Sequence, residues 1–346
     1  MNKKNLLRLL LLLFLIIGTI LIIRQQQAMP YQYNKGFIFG TVYSISYQSD
    51  RDLQKDIENE MMKVDNSLSP FNPKSVISKI NQNEKVKLDE MFLDVYKLAE
   101  SISKETDGAF DITVAPLVNA WGFGFKHGTT PTKDVIDSLR NIVGYQKVAL
   151  VTPDNRHDPP YIKKQDPRIM LDCSAIAKGY ASDVVARLLR KHDIKNFMVE
   201  IGGEIVTSGV NEKRLPWRIG VTKPTDDSLN VNKELQTVLN VTNKAMATSG
   251  NYRNFYFKGG KKYAHTIDPK TGYPIQHNIL SATVLTDNCA TADAYATSFM
   301  VMGFKDAQRI LEKHPELMAY LIYTNDKGEY SVWFSKELES KIVRGE

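Results

Sequence analysis

Cysteine is scarce. Two in 346 residues, Cys173 and Cys289, cannot make a disulfide framework, so the fold rests on its hydrophobic core. Residues 1–30 hold no acid. Lys3, Lys4, Arg8 and Arg24 stand alone there and account for most of the net charge of +6. The rest of the chain is nearly balanced, which excludes the basic footprint of a nucleic-acid binder. No low-complexity stretch and no repeat divides the sequence, so wholesale disorder and repeat architectures are out. A Gly-rich turn between strand and helix is also missing. Gly202-Gly203 comes nearest, but Glu204 and another strand-like run follow, so a Rossmann reading has little support.

What is present begins with an apolar run over residues 9–23, interrupted only by Gly18 and Thr19. With Leu6 and Leu7 it approaches the roughly 20 residues that span a bilayer. The bases before it favour a cytoplasmic N-terminus. Residues 24–30 (RQQQAMP) make a poor cleavage site. Residues 1–30 therefore read as a retained signal anchor in preference to a cleaved leader. Residues 31–346 then form one domain outside the cytoplasmic membrane, with the protein a single-pass protein of the cell membrane. Two small buried thiols are favoured over a Cys173–Cys289 bridge.

Strand-like runs are frequent: residues 37–48, 147–152, 168–171, 196–201, 217–222, 236–241, 281–286, 318–323 and 329–334. Gly259-Gly260 between apolar runs marks a hairpin over 252–267. Helical stripes lie between them. Leu53, Ile57, Met61, Val64 and Leu68 form one; Phe92, Val95, Leu98, Ala99 and Ile102 a second. Val135, Ile136, Leu139 and Ile142 form a third, entered at Pro131 and left at Gly144. A fourth helix is expected from a Ser174 cap to about His192, and a fifth over 290–302, stopping at Gly303. The pattern predicts an α+β fold, a largely antiparallel sheet with packed helices on one face.

Asp293 and Thr297 stand four apart on the fifth helix, which puts both oxygens on one face about 6 Å apart along the axis. That is hard-oxygen chemistry suited to Mg²⁺. The helix is otherwise Ala, Tyr, Phe and Met, and a buried Asp needs a partner. Residues 172–180 (DCSAIAKGY) form a strand-to-helix junction. Lys178 in the first turn opposes the helix dipole unless an anion such as phosphate sits there, and Asp172 reads equally well as a plain cap. His265 leads a rigid turn (HTIDPKTGYP, 265–274), where an imidazole can serve as general base. Two further stretches, 65–73 (DNSLSPFNP) and 108–124 (GAFDITVAPLVNAWGFG), read as loops whose aromatics suit a planar ring.

Ser101-Lys104, Ser249-Asn251 and Lys270-Thr271-Gly272 mimic the three elements of penicillin-interacting serine enzymes. Their context is wrong. Lys270-Thr271-Gly272 lies between prolines in a turn rather than in a strand, and Ser101 falls late in its helix.

Together the segments resemble the ApbE family, the FAD:protein FMN transferases, over roughly residues 36–335. The landmarks are Gly40-Thr41, 68–75 (LSPFNPKS), 108–124, 172–183 (DCSAIAKGYASD), 247–252 (ATSGNY), 265–274 and 290–297 (ATADAYAT). The resemblance implies Mg²⁺-dependent transfer of FMN from FAD to a Thr or Ser hydroxyl of a target protein, releasing AMP, outside the cytoplasm. It implies metal ligands at Asp293, Thr297 and the carbonyl of Ala175, and a catalytic role for His265. FAD contacts would fall on Phe39, Phe71, Ala109, Phe110, Asp111, Asp172, Lys178 and Ile267. The implied partners are flavin-accepting subunits of membrane redox complexes or exported electron-transfer proteins. Two departures stand out: no cysteine near the N-terminus can accept a lipid, and residue 173 is Cys where an apolar residue is more usual. FAD hydrolysis to FMN and AMP, or flavin binding without catalysis, are the alternatives.

Overall fold

The computed structural model describes residues 3–125, 130–155, 158–224, 234–251, 255–258, 261–276 and 278–343, without the side chains of 21–28, 257–258 and 261–262. The helices are α1 (Lys3–Ala28), α2 (Gln54–Leu68), α3 (Val76–Asn81), α4 (Glu90–Glu105), α5 (Ala115–Ala120), α6 (Lys133–Arg140), α7 (Ala177–Lys191), α8 (Cys289–Met302) and α9 (Phe304–Lys313). The strands are β1 (Tyr31–Ile38), β2 (Thr41–Gln48), β3 (Val148–Val151), β4 (Tyr161–Lys164), β5 (Phe197–Ile201), β6 (Glu204–Ser208) and β7 (Trp217–Thr222). They continue with β8 (Leu235–Val241), β9 (Ala245–Gly250), β10 (Phe255–Lys258), β11 (Lys261–Ala264), β12 (Ile279–Thr286), β13 (Met318–Thr324) and β14 (Tyr330–Phe334).

Eight strands form one sheet in the order β1-β2-β5-β6-β9-β12-β13-β14, and its neighbouring strands pair antiparallel. The α+β expectation holds. One face carries helices: α8 lies against β9 and β12, and α7 packs on α8, β5 and β6. The opposite face is covered too. The β7–β8 ribbon brings Ile219, Val221, Leu239 and Val241 onto Ile205, Met246, Leu285 and Ile322 of the sheet. Central strands buried on both faces lose the period-two pattern, and in β12 nearly every residue is buried.

The expected stripes of α2 and α4 face the core, and Asp89 caps α4 by accepting the Phe92 N–H at 2.8 Å. Four expectations need correction. Residues 37–48 are not one strand: the chain reverses at Phe39-Gly40, both at positive φ (53° and 72°), a two-residue hairpin turn between β1 and β2. Val135 faces solvent while Ile136 is buried, so the third stripe is narrower than its spacing indicates. Residues 168–171 join no strand: Arg168 lies in a turn and 169–171 take up no regular structure. Ser174 does not cap the fourth helix: α7 starts at Ala177 after Ile176, and no side chain caps it. The β10–β11 hairpin forms as expected, although its turn at 259–260 and Tyr252 lie outside the described residues.

The expected membrane-spanning helix is also not met: among the described residues no helix is long and apolar enough to cross a membrane. α1 is helical and exposes its large apolar side chains from Leu6 to Ile20. Its first turns, however, carry Lys3, Lys4 and Arg8, and the side chains of 21–28 are outside the description. Both cysteines are free and buried, with no bridge.

Candidate active site

A cavity of about 790 Å³ opens between the α7–α8 side of the sheet and the loops around it. Every site residue expected from the sequence lines it: His265, Phe39, Phe71, Ala109, Phe110, Asp111, Asp172, Lys178, Ile267, Ala175, Asp293 and Thr297. The serine-enzyme mimic is not assembled. Ser249 lines the cavity, but Ser101 is exposed on α4 beside Glu105, and the Lys270 Nζ pairs with Asp107 at the surface.

The floor is the meeting of α7 and α8. A Cβ on Gly179 would lie 2.4 Å from the Cys289 carbonyl oxygen, so only glycine lets the helices approach this closely. The Gly179 N–H donates to Asp293 Oδ2 at 3.1 Å instead of closing a helical bond to Ala175. Among the described residues, the Ala175 carbonyl thus receives no hydrogen bond, and neither does the second oxygen of Asp293. Thr297, one turn on, shares a hydrogen bond with Ser249 at 3.0 Å.

Asp293 is 3% exposed. Burial pushes its carboxyl above the ordinary carboxylate value, opposed by Lys178 and the Gly179 N–H. Lys178 Nζ contacts Glu204 Oε1 at 2.6 Å. Burial pulls that ammonium down, but Glu204 and Asp293 outweigh it and hold the pKa up. Glu204 is itself raised by burial, and among the described residues its buried Oε2 has no hydrogen-bond partner. One lysine among two buried carboxylates leaves negative potential and unused oxygen acceptors at the floor, the setting a cation relieves. Sequence reasoning assigned no role to Glu204 or Gly179. The Gly202-Gly203-Glu204 run was the available signal for the first.

The walls are more committed than their polarity suggests. The Asp111 carboxylate accepts from Thr113 N (2.8 Å), Thr113 Oγ1 (2.6 Å) and Tyr145 N (2.7 Å). It therefore shapes the loop that presents Ala109 and Phe110. Asp172 folds back to accept from Ser174 N at 2.8 Å, an Asx turn that braces the 174–176 segment carrying Ala175.

The rim is aromatic. Phe39 sits at a φ that non-glycine residues seldom adopt. Phe71 is 66% exposed and meets Phe125 edge-to-face at 6.1 Å. His265 follows β11 directly and meets Phe123 edge-on at 6.5 Å. Its turn is pinned from behind, because Trp121 Nε1 donates to Gly272 O at 2.8 Å and Arg140 Nε to Lys270 O at 2.7 Å. Ile267 is buried with Leu117, Trp121 and Ile136.

A family model for ApbE matches residues 39–322. The chain belongs to the ApbE family. The FAD:protein FMN transferase of Haemophilus influenzae is 37% identical over 322 residues, 88% of this chain and 91% of that protein. That of Escherichia coli strain K12 is 32% identical over 308 residues, 88% of this chain and 85% of that protein. Among solved structures, the flavin transferase ApbE from Vibrio cholerae superposes with a TM-score of 0.80 at 33% identity, covering 90% of this chain and 99% of that one. This ApbE-family chain is accordingly an enzyme of flavin transfer, with FAD as its substrate.

Proposed function

We propose that the cavity performs Mg²⁺-dependent transfer of FMN from FAD to a Thr or Ser hydroxyl of a partner protein, releasing AMP. The observation that carries this reading is the floor: Asp293, Thr297 and an unbonded Ala175 carbonyl face one cavity with His265. Among the described residues no three His, Cys, Asp or Glu side chains group to hold a metal. The donor set at the floor is one carboxylate, one hydroxyl and one carbonyl. It fits Mg²⁺, which binds few protein oxygens and keeps the rest for water and phosphate. When bound there, Mg²⁺ supplies charge neutralisation for the diphosphate and the departing AMP.

The chain's own residues do the rest. Phe39, Phe71 and Phe110 offer ring faces to the flavin. Lys178, held by Glu204, adds a fixed positive charge on the phosphate side. His265 accepts the proton of the acceptor hydroxyl as its oxygen bonds to the flavin-side phosphorus. The bond from that phosphorus to the bridging oxygen breaks, and AMP leaves with that oxygen. Alignment and electrostatics carry most of such a phosphoryl transfer.

The partners are exported electron-transfer proteins or flavin-accepting subunits of membrane redox complexes, modified outside the cytoplasm. The exposed apolar side chains of α1 support attachment of the enzyme to the cell membrane. Full-length enzyme incubated with FAD, Mg²⁺ and a candidate acceptor should add the mass of FMN to the acceptor. Release of FMN and AMP with the acceptor mass unchanged would establish hydrolysis instead, and a failure to release AMP would leave flavin binding alone.

A further inference from the structure

The cation pair only functions if α8 sits at the right depth and rotation against α7. Sliding α8 by one residue moves it about 1.5 Å and turns each side chain about 100°, which takes both Asp293 and Thr297 off the cavity wall. Close packing at Gly179 sets how near the helices come, and its one hydrogen bond to Asp293 needs a second fixed point to define their axial register.

We propose that Asp183 is the positioning residue that registers α8, and with it the cation-binding oxygens, against α7. Asp183 lies on α7 one turn after Gly179 and is buried. Its two oxygens take separate N–H groups at the very start of α8: Oδ1 accepts from Cys289 at 2.8 Å and Oδ2 from Ala290 at 2.9 Å. The helices thus share two rungs, 183 with 289–290 and 179 with 293. Each pair of rungs is one turn apart on both helices, so the contact works as a two-point antiparallel lock. The first N–H groups of a helix lack internal partners, and here a carboxylate imported from the neighbouring helix satisfies two of them. The helix's own cap, Asn288, accepts from Thr291 N at 3.0 Å, a bond within its own helix that makes no link to α7. Asp183 lines no part of the cavity, so it acts through α8 and not on the substrate.

The inference rests on Asp293 and Thr297 being the cation-holding pair, and the test separates the two ideas. Mn²⁺ alone is titrated into the full-length protein and followed by electron paramagnetic resonance. The wild type binds Mn²⁺ and Asp293→Asn does not. If Asp293→Asn binds as the wild type does, the cation reading itself fails. Asp183→Asn lowers Mn²⁺ affinity by about tenfold or more, the scale of a residue that orients a ligand. It also raises the apparent KM for Mg²⁺ while kcat at saturating Mg²⁺ stays within a few-fold of wild type. Asn288→Ala, which frays the same helix end without touching the lock, leaves affinity within about twofold. Equal Mn²⁺ binding by Asp183→Asn and wild type, or equal weakening by Asn288→Ala, overturns the proposal. A second measurement needs no variant. The amides of Cys289 and Ala290 should exchange slowly with solvent in the wild type, although first-turn amides ordinarily exchange fast. Fast exchange at both overturns it as well.

Discussion

The floor and the rim of the cavity are built on opposite plans. At the floor, helices and sheet hold the charged side chains in place and leave single oxygens unpaired among the described residues. Gly179 closes the α7–α8 gap, and its N–H fixes Asp293. Glu204 fixes Lys178. At the rim, aromatics stand in loops and turns, with Phe71 largely in solvent and Phe39 at a reversal of the chain. The difference matches the chemistry each end performs. Charge stabilisation gains from donors that need no reorganisation during reaction. A ring system and an incoming protein require surfaces that admit them.

The sharpest way to break this contrast is at the floor. Asp293→Ala removes the one charged ligand of the proposed Mg²⁺ site and should reduce transfer to background, a loss of about 10³-fold or more, read by intact mass of the acceptor. Retention of full activity in Mg²⁺ would refute the division. His265→Ala should cost about 10²–10⁴ in the transfer rate while FAD binding is preserved, the range for a lost general base. A matching loss of FAD affinity would move His265 to the binding surface. Gly179→Ala forces a methyl against the Cys289 backbone, where no side chain can yield. Thermal melting should show destabilisation of about 1–3 kcal/mol, as for overpacking. Phe71→Ala, at the rim, should raise the KM for FAD by about two- to tenfold with kcat nearly unchanged, the scale of one aromatic contact. The smallest effect is at the thiols. Burial pushes both Cys173 and Cys289 above their ordinary pKa, so neither should be alkylated in the native protein near pH 8. Rapid labelling without unfolding would show that the floor opens.

Much of the floor was legible because its residues sit in regular elements. Asp293 and Thr297 follow from a four-residue spacing on a helix whose apolar composition already marked it as buried. The junction at 172–180 follows from a lysine placed against a helix dipole. The unread part depends on contacts between elements far apart in sequence. Glu204 acquires its role only where β6 passes Lys178, and Gly179 only where α7 meets α8. The reversal at Phe39 was hidden for another reason: its neighbours alternate like a strand, and a non-glycine residue at positive φ leaves no compositional mark. The two-sided burial of β12 came from the β7–β8 ribbon on the far face, which no local pattern in β12 encodes.

The passage from α1 into the domain is short and fastened. Only Met29 and Pro30 separate α1 from β1, and both of their carbonyls are already occupied, by Gln48 Nε2 at 2.8 Å and by Ser49 N at 3.0 Å. There is no slack leash here. Under the membrane attachment proposed above, so short a junction would keep the catalytic body close to the surface that receives α1, and acceptor proteins would have to reach it there.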